Sequence, residues 1–236
     1  MARTTSIISW VQLALVVGIV VILGILAFNI LTHDPFAPKT ELERAQFAAE
    51  EAVRANPESA ISRIKLAAAY VESGSPSAAL EQADIAIRLQ PDEPAGYYVK
   101  GLALMKLNRN EDAIEALTKS VETKGQLAPF YQDAWVALSR AQEGQGLDEE
   151  ALASMNRAVN YGPENVLLLY ERGALYERLE NWEFAMEDYA AAMEYVPNYE
   201  PAITGLARLK EAHPDVFEML QERYSGDAPT TDSSGD

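Results

Sequence analysis

Two histidines, His33 and His213, carry the side chains that change protonation near neutral pH, the chemistry a general acid–base pair or a metal site would draw on. They stand 180 residues apart and each lies close to a proline in a loop, so neither has a sequence neighbour with which to share a metal or a proton. Cysteine is absent, which excludes a thiolate nucleophile, a disulfide framework and any Cys-containing zinc site. Glu50–Glu51 and Glu149–Glu150 are candidate carboxylate pairs, but adjacent residues of a helix point about 100° apart, so they read as solvated helix faces. The stretch "GQGLD", residues 144–148, is too short for a GxxxxGK phosphate loop and lacks its lysine. No catalytic residue, metal site or cofactor is expected, and the chain is not expected to be an enzyme.

Charge narrows the partners. With 36 acidic residues against 19 basic ones the net charge is −17, whereas a nucleic-acid surface needs clustered Lys and Arg, so no nucleic-acid partner is expected. From Ile7 to Leu31 the chain runs 25 residues without a charge, and about 20 apolar residues suffice to cross a bilayer core. The expectation is a short tail over 1–6 and one transmembrane helix over 7–31, with the lipid bilayer as a partner through those residues. Trp10 suits the aromatic belt at the interface. A cleaved secretory signal has an apolar core of roughly 7–15 residues, so the longer run is expected to stay as a signal-anchor. Arg3 precedes it and Lys39 and Arg44 follow at a distance, which points to a single-pass, N-in, C-out placement. Residues 32–39 read as a Pro-containing spacer and 225–236 as a disordered acidic tail.

Between Thr40 and Tyr224 the apolar residues recur at helical spacing, broken by clusters such as "NPES", "QPDEP" and "VPNYEP", and no segment alternates with period two. The elements are therefore short antiparallel helices, an all-α fold. A shift of 34 carries Ala45 to Ala79, Ala79 to Ala113 and Ala151 to Ala185, while Ala113 to Ala151 is 38. A four-residue insertion, placed at 128–131, interrupts an otherwise constant period. The same register links Ala52, Ala86, Ser120, Ala158 and Ala192, and another links Ala67, Gly101, Ser139, Gly173 and Ala207. Small residues at these intervals let paired helices approach closely, and Pro57, Pro91, Pro163 and Pro197 end the units, with Gly125 at the remaining junction. The division is a half-repeat helix over 40–57, full repeats over 60–93, 94–127, 132–165 and 166–199, and capping helices over 200–224.

This pattern resembles the tetratricopeptide repeat (TPR) family, whose signature runs W-x2-L-G-x2-Y…A-x3-F…P. Leu169, Arg172, Gly173, Tyr176, Ala185, Tyr189 and Pro197 match it best, followed by Trp135, Leu138, Ser139, Gln142, Ala151, Met155 and Pro163. The resemblance implies a right-handed TPR solenoid of antiparallel helix pairs, preceded here by the one transmembrane helix. It also implies a concave groove lined by the first helices. By register the groove residues are Ile64, Ala68 and Val71, then Tyr98, Leu102 and Met105, then Val136, Arg140 and Glu143, and last Tyr170, Glu177 and Arg178. The implied partner is a protein presenting an amphipathic helix or an extended segment. Some members clamp a chaperone's C-terminal carboxylate with Lys, Asn and Arg; Ile64, Ala68, Val99, Asp133 and Ala137 stand at those positions, so no such clamp is expected. The implied function is a membrane-anchored protein–protein interaction scaffold or assembly factor, serving biogenesis of membrane or exported complexes at a bacterial inner membrane. Its design is similar to the TPR subunits of cytochrome c maturation and the TPR partner of the Sec translocon. The alternative is a structural homo-oligomer forming a membrane-associated TPR coat.

Overall fold

The structure, a computed structural model, describes Leu15, residues 17–25, 40–123 and 128–225. The chain divides into two compact parts, Met1–Phe47 and Ala48–Asp236. After residue 40 the described residues form α1 (Glu41–Ala55), α2 (Ala60–Glu72), α3 (Pro76–Leu89), α4 (Pro94–Lys106), α5 (Asn110–Glu122) and α6 (Ala128–Glu143). They continue with α7 (Asp148–Tyr161), α8 (Val166–Arg178), α9 (Trp182–Tyr195), α10 (Glu200–Ala212) and α11 (Pro214–Ser225).

Two recurring turns set this order. Three of the second helices, α3, α7 and α9, stop one residue short of a pre-proline position: Gln90, Gly162 and Val196 are extended, with φ of −143°, −152° and −133°. A following proline disfavours the helical region for the residue before it, here because of Pro91, Pro163 and Pro197. The N–H three residues on then closes a β-turn: Glu93 donates to Gln90 at 3.2 Å, Asn165 to Gly162 at 3.1 Å and Tyr199 to Val196 at 3.0 Å. Asn165 and Glu93 go on to cap the next first helix through their side chains.

The first helices end differently, in a left-handed residue: Gly74, Asn108, Gly146 and Glu180, with φ of 75°, 57°, 73° and 59°. The N–H of the next residue reaches back five positions, Ser75 to Tyr70 at 2.8 Å, Arg109 to Leu104 at 2.9 Å, Leu147 to Gln142 at 3.0 Å and Asn181 to Tyr176 at 2.8 Å, a Schellman closure.

Within the second compact part, each first helix packs on its own second helix, in the pairs α2/α3, α4/α5, α6/α7 and α8/α9. Each second helix packs in turn on the next first helix, and the first helices α2, α4 and α6 also touch in sequence. The small residues sit at these crossings: Ala79, Ala113, Ala151, Ala185, Ala192 and Ser120 are fully buried. Two of the small residues also bond across the crossing, the Ser120 hydroxyl donating to the Pro94 carbonyl at 2.9 Å and Ser139 to Ala151 at 2.8 Å. Ala185→Leu is therefore expected to overpack the α8/α9 crossing and to cost about 1–3 kcal/mol. Thermal unfolding unchanged from the parent would contradict that placement.

Two details depart from the simple period. The residues expected as an insertion, 128–131, lie at the start of α6, which runs 16 residues against 13 for α4. At the far end Ala207 is exposed, while Gly205 and Ala202 are buried. The reason is that α11 does not lie along α10 as a second helix would but leans on both α9 and α10. The small-residue register that holds through Gly173 therefore does not extend to Ala207.

The membrane placement is corrected. In the stretch 7–31 the structure describes Leu15 and 17–25 as helical, and among the described residues no helix is long and apolar enough to cross a membrane. The single-pass, N-in, C-out reading and the bilayer contact through 7–31 are thus not upheld. The remainder of that run, the tail 1–6, the spacer 32–39, the junction at Gly125 and the acidic residues 226–236 lie outside the described residues.

Candidate functional site

The expected groove residues other than Val136 each keep an exposed edge on the first helices, and they form two unlike sets. On α2 and α4, Ile64, Ala68, Val71 and Tyr98 lie partly exposed against Ala67, Ala83 and Val99, and Leu102 and Met105 lie partly exposed against Leu104 and Leu117. Helical spacing produces this: positions i, i+4 and i+7 share a face, and each of these side chains keeps one edge in the core and one in water. Tyr98 meets Phe130 edge-on at 5.5 Å. Burial, and then the Asp133 carboxylate, push the Tyr98 phenol above its ordinary range, so it stays a neutral donor.

On α6 and α8 the face is charged, and its charges pair between repeats. Arg140 reaches Glu171 at 2.6 Å, Arg178 reaches Glu143 at 2.7 Å and Asp148 at 3.1 Å, and Arg208 of α10 reaches Glu177 at 2.7 Å. These are solvent-facing pairs, each worth about 0–1 kcal/mol, so their main effect is to neutralise the rim. Glu171 Oε2 is buried and meets no donor among the described residues.

Beneath the pairs Tyr170 packs on Tyr189 at 5.6 Å and edge-on against Tyr199 at 5.8 Å. Tyr170, Ala174, Trp182 and Tyr189 line a cleft of about 380 Å³, with Glu177, Arg178 and Arg208 at its rim. The Tyr189 hydroxyl donates to Glu177 at 2.9 Å. Burial first, and Glu177 second, push that phenol far up, so it too remains a donor.

One expected groove residue is misplaced: Val136 is buried among Leu168, Leu169 and Met155 and belongs to the core. Its side chain is short, whereas the larger Tyr98 and Tyr170 occupy its register on the neighbouring first helices. Three contributors went unrecognised in the sequence: Glu171, Trp182 and Arg208. The paired charges stand 31 residues apart for Arg140–Glu171 and Glu177–Arg208 and 35 for Glu143–Arg178, close to one period, which is the signal that would have revealed them.

The candidates for chemistry separate. His213 lies stacked on the Trp182 ring at 4.3 Å, and His33 lies outside the described residues. Among the described residues no group of three His, Cys, Asp or Glu is placed to hold a metal ion.

Comparison with known proteins agrees with the fold. A sequence profile of the Tetratricopeptide repeat matches residues 40–94, 64–129 and 98–160, together more than half of the chain. Anaphase-promoting complex subunit 7 of Dictyostelium discoideum is 32% identical over 133 residues, covering 56% of this chain and 22% of the relative. The Small glutamine-rich tetratricopeptide repeat-containing protein of the same organism is 31% identical over 100 residues, 40% of this chain and 30% of the relative. The chain thus spans less than a third of either protein. YrrB, described as a TPR protein with an unusual peptide-binding site, aligns with a TM-score of 0.55 at 23% identity, covering 70% of this chain and 82% of its own.

Proposed function

Because the chain belongs to the tetratricopeptide repeat family, whose members mediate protein–protein interaction or complex assembly, we propose that it is a scaffold or assembly factor that captures a protein segment on its first-helix face. The observation that carries this reading is the division of that face into a partly exposed apolar half and a cleft whose rim charges are already paired. A segment bound there would gain from apolar contact with Ile64, Leu102 and Met105 and would meet little net charge around Tyr170 and Ala174. An amphipathic helix with its apolar stripe over α2 and α4 fits both halves. YrrB, similar in fold, is itself described as binding peptide.

Truncating Tyr98 or Tyr170 would remove core packing along with any ligand contact, since both rings rest on buried neighbours. The informative changes are at small positions. Ala68→Arg and Ala174→Arg place a long cation in each half of the face and should weaken capture by more than about tenfold, the loss of roughly one central anchor. The measurement is photocrosslinking in the source cells from benzoylphenylalanine at Leu102 or at Ala153, an exposed second-helix position. The same protein should be captured from position 102, lost in both arginine variants and absent from position 153. Capture from 153 alone, or capture indifferent to both arginines, would remove the first-helix face from consideration.

A further inference from the structure

The last helix, α11, is fastened to α9 at both of its ends. At its start His213 closes α10, its N–H donating to the Leu209 carbonyl at 2.8 Å, and opens α11, its carbonyl accepting from the Phe217 N–H at 3.3 Å. The His213 imidazole lies flat on the Trp182 ring, with 4.3 Å between the centres and 15° between the planes. At the far end of α11 the Arg223 guanidinium pairs with Glu183 and, at 3.5 Å, with Glu187, and the Tyr224 hydroxyl donates to Glu187 at 2.9 Å. The three anchor points, Trp182, Glu183 and Glu187, all fall in the first two turns of α9.

Between those ends α11 is held lightly. Among its described residues only Leu220 is buried, whereas α9 buries Ala185, Met186, Asp188, Tyr189 and Ala192. Phe217 is half-buried, with the Lys210 ammonium 3.9 Å over its ring. Exposed ion pairs such as those of Arg223 add little stability and are screened by salt. A segment with few buried contacts opens locally while the rest of the fold stays closed. One of its anchors also belongs to the first-helix face, because Trp182 is a wall of the cleft that Tyr170, Ala174 and Tyr189 complete. Among the described residues His213 is the aromatic side chain stacked on that wall, so the ring that shapes the cleft and the residue that starts α11 hold each other.

We infer that α11 is a strap for that cleft: His213 is the residue that positions the Trp182 wall, and it does so only while Arg223 and Tyr224 keep α11 docked on α9. The inference rests on the first-helix face being the capture surface and adds a control that lies outside that face. When α11 lifts, the imidazole leaves with it, the indole gains rotamers and the cleft loses a fixed side. A segment seated against Trp182 favours the strapped state and shifts the population towards it. Salt acts in the opposite direction, by screening the pairs of Arg223 with Glu183 and Glu187.

The test is fluorine NMR of the full chain labelled with 5-fluorotryptophan, in which the Trp182 signal is assigned by its loss in Trp182→Phe. The quantity read is the shift of that signal between light and heavy water, which grows as the indole becomes exposed. His213→Ala and Arg223→Glu should each enlarge it, and His213→Phe, which keeps a ring over the indole, should leave it at the parent value. Arg223→Glu is a surface change that alters neither ring, so its effect does not depend on how well His213→Ala folds. Added salt should enlarge the shift in the parent and change it little in Arg223→Glu. For capture, benzoylphenylalanine is placed at Thr204, an exposed position of α10 one turn before Arg208 at the cleft rim. At least threefold less protein should be crosslinked there in Arg223→Glu than in the parent. An unchanged isotope shift in Arg223→Glu, an alanine-like value in His213→Phe, or undiminished capture from Thr204 would each overturn the inference. Failure of the parent to capture protein from either Leu102 or Thr204 would instead overturn the first-helix reading, and the isotope shifts would still decide whether α11 holds the wall.

Discussion

Tyr189→Ala is expected to destabilise the C-terminal half of the array by about 3–5 kcal/mol, the range for emptying a buried aromatic site. The ring is 1% exposed, and it is shared by two first helices. A Cβ on Gly173 of α8 would stand 2.7 Å from one edge of the ring, and a Cβ on Gly205 of α10 would stand 2.7 Å from the other. Removing the ring leaves a void between two glycine surfaces that carry no side chain to collapse into it. For a domain of this length each kcal/mol moves the melting temperature by about 2–4 °C, so the transition should fall by roughly 6–20 °C. Tyr189→Phe keeps the ring and loses only the bond to Glu177, a cost of about 0.5–1.5 kcal/mol. Amide hydrogen exchange should show the alanine loss in α8–α10 before α2–α5, because a repeat array is coupled through neighbours. A uniform loss across all helices would show that the ring does not act locally.

Asp188→Ala should be nearly as damaging, for a different reason. The carboxylate is 5% exposed, and burial pushes its proton affinity up while the Arg172 guanidinium pulls it back. The pair ties α8 to α9, and Asn156 of α7 joins it from the preceding repeat. Deleting one partner leaves the guanidinium without its carboxylate in a partly dry site, typically a cost of about 3–5 kcal/mol. The double change Arg172→Met with Asp188→Leu removes both charges and should recover most of that loss. Denaturant unfolding of the two variants decides the point: a double variant as unstable as Asp188→Ala would mean that side-chain shape, not the stranded charge, set the cost.

Backbone geometry was legible in the sequence wherever one residue type decides a local conformation. The prolines at 91, 163 and 197 dictate an extended residue before them, and the buried alanines at 79, 113, 151 and 185 mark crossings that admit nothing larger. Position in the interior was less legible where size, not periodicity, decides. Val136 sits in the register of Tyr98 and Tyr170, yet its short side chain stays below the surface that those rings reach. Ala207 continues a numerical series whose physical basis, a second helix lying alongside, ends at α11. For the apolar run at 7–31 the expectation rested on hydropathy alone, and among the described residues no helix is long and apolar enough to cross a membrane. The rim charges escaped notice because each was read within its own helix, whereas their partners stand almost one period away.

The pre-proline β-turn makes the junctions at Pro91, Pro163 and Pro197 independent of the helices they join. Its hydrogen bond uses only backbone atoms, and its shape follows from the proline. In evolutionary terms such a junction is a splice point, where a cassette of helices can be gained or lost without redesigning the connection. The side chains limit that freedom unequally. Repeats joined through alanine crossings alone are interchangeable parts, but the Arg140–Glu171 and Glu143–Arg178 pairs span the junction at Pro163, and the glycine-held ring of Tyr189 and the Glu177–Arg208 pair span the one at Pro197. The helices from α6 to α10 are therefore less freely exchanged than those before them.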